Sequence, residues 1–235
     1  MPEGDGAKGA GRGRRAGDRG RYGRLSRELV MASALEVVDR DGLSGLSMRG
    51  LGAELGVEAM ALYRYASGKD ELLDGLVGAF FLELEGELGE PDPEPDGDWR
   101  AGLHRVALAT YRTAMRHPNV VPLLATRLLS TPLTRRPEPV LRGDERILVL
   151  LADLGGRRAV TLHRAFTAWL LGYLIVELRA VDDDPEEPDP AFRIGLHRIS
   201  ARELPQLRAT ALGLAERGGP GTLAAGLDAL LDRFE

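Results

Sequence analysis

The chain has 235 residues, enough for one or two domains, and its 43% hydrophobic composition supplies a substantial core. A formal net charge of −5 excludes a generally basic, histone-like protein, and the lack of cysteine excludes disulfides and thiol chemistry. No G-x-S-x-G, H-E-x-x-H or Walker sequence occurs, and His104, His117, His163 and His197 lack zinc-ligand spacing, so the sequence predicts neither an enzyme nor a metal or other cofactor.

Residues 1–24 carry seven basic side chains against three acidic ones, with no apolar periodicity. They are expected to form a disordered Gly/Arg-rich tail able to lie along phosphates. Leu29, Ala32, Ala34, Leu35 and Val38 then recur at helical spacing, with Ser26 as a cap and Asp41-Gly42 as the stop. Ser47 is placed to cap a second helix bearing Leu51 and Leu55, and Gly56 to end it in a left-handed turn with Val57 beneath. In the short helix that follows, Leu62 and Ala66 form the inward stripe, so Ala59, Met60, Tyr63 and Arg64 project outward. Ser67 reads as the next N-cap in a capping box with Asp70. This is the pattern of a helix-turn-helix that docks on double-stranded DNA.

Gly42 to Leu73, notably Leu55-Gly56-Val57, Leu62-Tyr63-Arg64-Tyr65 and Lys69-Asp70-Glu71-Leu72-Leu73, resembles the N-terminal domain of the TetR family of transcriptional regulators, nearest its tetracycline-repressor branch. The resemblance implies DNA contacts from Ser47, Met48, Arg49, Glu58, Ala59, Met60, Ala61, Tyr63, Arg64, Tyr65 and Lys69. Arg49 is the candidate for a bidentate bond to guanine, while Tyr63, Tyr65 and Lys69 match positions that grip phosphates; packing is the other reading of the two tyrosines. Ala59-Met60-Ala61 offers only apolar contact, so Arg49, Arg64 and DNA shape inherit much of the discrimination. Residues 25–75 hold five basic against nine acidic side chains, which leaves the head without strong attraction for DNA of its own.

Beyond the head the chain is expected to be all-α, with alternation too brief for strands. Helices are predicted over 70–88, 99–117, 119–129, 137–154, 157–181, 204–216 and 221–234, with acidic, proline-rich loops at 89–97 and 182–190. The division is 25–72 for the DNA-binding domain and 73–235 for a helical ligand-binding and dimerisation domain. Residues 165–178 form the most apolar run, and fourteen residues are too few to span a bilayer; a cytoplasmic protein without a membrane partner is expected.

Helix 157–181, apolar almost all round past Ala165, requires burial on two sides, and Leu223, Leu227, Leu230, Leu231 and Phe234 offer a stripe on the last helix. The resemblance implies that two such helices per subunit build an isologous homodimer reading a pseudo-palindromic operator. It also implies a small-molecule effector that tilts the helix beginning near Asp70 and releases the DNA. The candidate pocket comprises Val106, Thr110 and Thr113, then Leu124, Arg127 and Leu128, and finally Phe166, Trp169 and Tyr173. The segment 120–127 lacks the histidine with which tetracycline-binding members anchor a magnesium chelate, so a mostly apolar effector is expected. An activator, a protein-controlled regulator and a dimer without a ligand remain the alternatives.

Overall fold

The computed structural model describes residues 25–90, 98–178 and 186–234, except the side chain of Leu129. The basic tail, most of the first acidic loop and part of the second lie outside these residues. Among the described residues the regular structure is entirely helical. The helices are α1 (Arg27–Gly45), α2 (Met48–Leu55), α3 (Ala59–Leu62), α4 (Lys69–Leu88), α5 (Trp99–Arg116), α6 (Val121–Ser130), α7 (Glu138–Leu150), α8 (Gly156–Glu177), α9 (Pro190–Arg193), α10 (Pro205–Ala215) and α11 (Gly219–Leu231). Short 3-10 turns occur at Pro118–Val120, Leu133–Arg135, Ala152–Leu154, Leu196–Arg198 and Asp232–Phe234.

Helix α1 starts where Ser26 Oγ accepts the Leu29 amide at 3.1 Å, and it breaks at Gly42, whose φ of 72° and ψ of 173° are not helical. The anticipated cap and stop are both present. The buried face is rotated from the expected one: Val30, Met31, Ala34, Leu35, Val37 and Val38 point inward, while Leu29 and Ala32 are exposed. The reason is close contact with α4 at Gly75, where an added Cβ would lie 2.2 Å from Met31 Sδ. A glycine lets the two helices approach, and the approach selects which stripe is buried.

Helix α4 begins differently from expectation. Gly68, in extended conformation, is the N-cap, which places Ser67 one residue outside the helix. The Ser67 amide donates to Glu71 Oε2 at 2.9 Å, so Glu71 rather than Asp70 reaches back across the first turn. That amide, followed by the Ser67 hydroxyl and Arg27, holds the Glu71 carboxyl below its ordinary value.

The body packs α4 against α5 and α7, and α5 against α11, around a core continuous with that of the head. Leu223, Leu227 and Leu231 are buried within the chain's own core. The outward face of α11 carries Thr222, Ala225, Asp228 and Ala229, so the anticipated leucine stripe does not face outward. Helix α8 has 22 residues and, among the described residues, is the one helix long and apolar enough to cross a membrane by length and composition. The fourteen-residue run lies inside this helix, as expected, but the helix as a whole meets the length and composition that the run alone did not. Only 33% of its most apolar window is buried; Val160, Ala168, Gly172 and Val176 lie exposed, with Arg164 on the same stripe. In α10 only Ala211 is buried, and Leu207, Leu212 and Leu214 are exposed. Helix α9 and the turn after it went unpredicted because each spans a single turn.

Candidate DNA-reading head and its junction with the body

Three local devices shape the head. Ser47 Oγ accepts the Gly50 amide at 3.1 Å and opens α2; Gly56, at φ 65° and ψ 31°, closes it, its amide bonded to Ala53 O at 3.2 Å. Val57 then donates to Gly52 O at 2.9 Å, folding the turn back over the helix it has just left. This closeness makes Gly52 a requirement: a Cβ there would lie 2.9 Å from Val57 O and 3.2 Å from the Ala59 nitrogen. Gly52 escaped the sequence reading, although a glycine four residues before the turn glycine was the available signal. Leu51 and Leu62 are fully buried and clamp α2 to α3.

The outer surface of α3 is largely side chain. Met60 is 75% exposed and Tyr63 46%, with Arg49, Glu58 and Arg64 also exposed. Ala59 and Ala61 are half-buried, and Met48 packs on the core from the start of α2. Tyr65 faces inward: its hydroxyl donates to Leu25 O at 2.7 Å, and its carbonyl accepts from Arg27 Nη1 at 2.5 Å. It fastens the start of α1 to the reading helix, which is the packing alternative for this residue. Two head cations are also committed internally, Arg27 to Glu71 at 3.1 Å and Arg40 to Asp41 and Glu54 at 3.1 and 3.2 Å. Arg49, Arg64 and Lys69 have no ionic partner among the described residues, and the Arg64 guanidinium lies 5.6 Å over the Tyr65 ring.

Head and body meet through α4 and through the turn at Pro118–Val120. Asn119 Nδ2 donates to the carbonyls of Val38 and Asp39 at 3.0 and 3.2 Å. His117 is buried between carboxylates, with Nδ1 2.6 Å from Asp39 Oδ2 and Nε2 2.8 Å from Glu83 Oε2. Neither role is visible in sequence, since the partners lie more than thirty residues away. A cavity of about 610 Å³ opens beside this contact, walled by Leu43 and Ser44 of the head, Pro118 and Asn119 of the turn, Val121 and Pro122 at the start of α6, and Ile175 and Leu178 at the end of α8.

None of the pocket residues expected from sequence lines that cavity. Val106, Thr110, Thr113, Leu124, Leu128 and Phe166 are buried, and the two threonine hydroxyls donate to Val106 O and Ala109 O one helical turn back. Arg127 turns to α4, meeting Asp70 at 2.8 Å and Asp74 at 3.2 Å. Trp169 and Tyr173 are half-buried, their rings 5.7 Å apart. The Tyr173 hydroxyl donates to Gly219 O at 2.7 Å. Beside it the buried Glu177 carboxylate accepts from the Gly218 and Gly219 amides at 3.0 and 2.9 Å and from the Tyr111 hydroxyl at 3.2 Å. Desolvation, reinforced by this carboxylate, raises the Tyr111 phenol and pushes Tyr173 up to about 12.

A capped helix-turn-helix with an exposed reading surface, fixed by a long helix to an all-helical body, defines a DNA-binding regulator. Residues 30–76 match the model of bacterial regulatory proteins of the tetR family, and residues 90–232 match the tetracyclin repressor-like C-terminal domain. The chain belongs to the tetR family and is a helix-turn-helix transcriptional regulator rather than an enzyme. It is 32% identical over 180 residues to an HTH-type transcriptional regulator of Saccharopolyspora erythraea, covering 76% of this chain and 71% of that protein. It is 35% identical over 131 residues to the HTH-type transcriptional repressor DrrR1 of Streptomyces coeruleorubidus, covering 56% of this chain but only 45% of that repressor. The fold is shared with the Streptomyces coelicolor TetR family protein ActR in complex with actinorhodin, with a TM-score of 0.69, 22% identity, and coverage of 90% and 95% of the two chains.

Proposed function

We propose that the chain is a repressor that binds a pseudo-palindromic operator as a homodimer and leaves it when a small, mostly apolar molecule binds. The observation that carries this reading is the head: a rigid turn presents Met60, Tyr63 and Arg64 outward beside Arg49 and Lys69, which have no ionic partner among the described residues. Arg49 is assigned base contact, and Tyr63, Arg64 and Lys69 phosphate or groove contact, with Ser47, Met48, Glu58, Ala59, Met60 and Ala61 completing the surface. Tyr65 acts from behind as a positioning residue. The functional division is 25–72 for DNA and 73–235 for dimerisation and effector, with the tail of residues 1–24 adding non-specific attraction.

The uncovered apolar face of α8 and the small residues on the outside of α11 support a dimer built on these helices. Such burial inside an assembly accounts for α8 without a bilayer, and a cytoplasmic location follows from action on DNA. The likeness to an actinorhodin-bound relative supports effector control. Footprinting of the DNA flanking its own gene with purified protein tests the reading. Two protected half-sites about 10 base pairs apart, centre to centre, are expected, and monomeric binding or no protection at low salt would overturn it.

A further inference from the structure

We infer that the cavity between head and body is a binding site for an uncharged, mostly apolar molecule carrying a hydroxyl, and that its occupant acts on the head directly. This rests on the reading of the chain as an effector-responsive regulator. The volume, about 610 Å³, falls within the roughly 300–1,000 Å³ of small-molecule sites. It is a groove open to solvent at Ser44, Pro118, Asn119 and Pro122; its inner walls are apolar, chiefly Leu43, Val121, Ile175 and Leu178, and no charged side chain lines it to offer an ion a counter-charge.

The polar chemistry is limited to Ser44 and Asn119. Because Asn119 faces two carbonyls, its Nδ2 must be the atom turned to them, which leaves Oδ1 as an acceptor for a ligand hydroxyl. Ser44 Oγ can accept or donate at the rim. Position makes the site regulatory. Leu43 and Ser44 follow the break at Gly42, while the opposite walls belong to the body, and Asn119 is both a wall and the clip that holds the carbonyls of Val38 and Asp39. A molecule seated there touches both head and body, so its fit depends on their spacing, and differential fit is all that coupling to DNA requires.

The absence of cysteine allows a clean test. The full chain with Ser44→Cys is compared before and after alkylation with pyrenyl maleimide, using radiolabelled estradiol, an uncharged apolar diol, as the probe in equilibrium dialysis. The unmodified variant is expected to take up one estradiol per chain and to lose affinity for the DNA flanking its own gene by about fivefold or more; alkylation is expected to weaken estradiol uptake at least tenfold. No uptake by the unmodified variant, or uptake indifferent to alkylation, overturns the site. Saturable, alkylation-sensitive uptake by a chain that binds no DNA supports the site while refuting the regulator reading. DNA binding with alkylation-indifferent uptake does the reverse.

Discussion

Replacing Gly52 with alanine sets two effects of opposite sign against each other. Alanine in place of a helical glycine ordinarily gains about 0.5–1 kcal/mol from the lower entropy of the unfolded chain and better helix propensity. At Gly52 the new Cβ lies 2.9 Å from the Val57 carbonyl oxygen and 3.2–3.3 Å from backbone atoms of Ala59, and no flexible side chain can yield. Opening that contact costs about 1–3 kcal/mol, as overpacking does elsewhere. The net expectation for Gly52→Ala is a loss of about 0.5–2 kcal/mol, together with a displaced α3 and operator affinity reduced about tenfold. Gly86→Ala is the matched control, since Gly86 lies exposed within α4 with nothing near its missing Cβ. It should gain up to about 1 kcal/mol and bind DNA unchanged. Urea unfolding and fluorescence anisotropy on labelled DNA measure both. Equal stabilisation by the two substitutions would refute the argument, because propensity alone would then govern the turn.

Glu177→Ala should strip acceptors from two amides and a phenol in a buried setting and cost about 3 kcal/mol or more, whereas Glu177→Gln should cost less; thermal unfolding separates them. With the Tyr173 phenol pushed up to about 12, above its unfolded value near 10, its contribution to stability is complete below pH 10 and declines as the pH rises through 12. Unfolding midpoints across that range should fall less steeply in Tyr173→Phe than in the wild type. Truncating Arg49 or Lys69 to alanine should each reduce the salt dependence of DNA affinity by about one ion, but only Arg49→Ala should also relax base preference, as a panel of half-site variants would reveal. Ser47→Ala should cost about 1 kcal/mol, measured as a shift in the urea midpoint.

Local signals explain what was legible in advance. Ser26, Ser47, Gly42 and Gly56 each act within four residues of themselves, and each lies where the sequence put it. The fold class and the family were equally accessible, because helical periodicity and the motifs from Leu55 to Leu73 are short-range patterns. Orientation was less accessible. The buried face of α1 depends on Gly75, more than forty residues away, and the inward turn of Tyr65 on the Leu25 carbonyl. The packing around the pocket candidates was illegible for a related reason: periodicity identifies which residues are apolar but not whether the space between them is filled. Thr110 and Thr113 look like anchors in sequence, yet each spends its hydroxyl on its own helix. The junction cavity borrows its walls from three separate segments, which no single stretch of chain could announce.

Helix α10 carries a kinetic consequence. With Ala211 alone tucked inward, its hydrogen bonds are guarded by little more than their own cooperativity, and a helix of eleven residues is marginal in isolation. In the free chain its amides should therefore exchange with solvent deuterium through local opening, orders of magnitude faster than those of α4 or α8. The same segment should be an early point of proteolytic nicking, well before the global fold lets go.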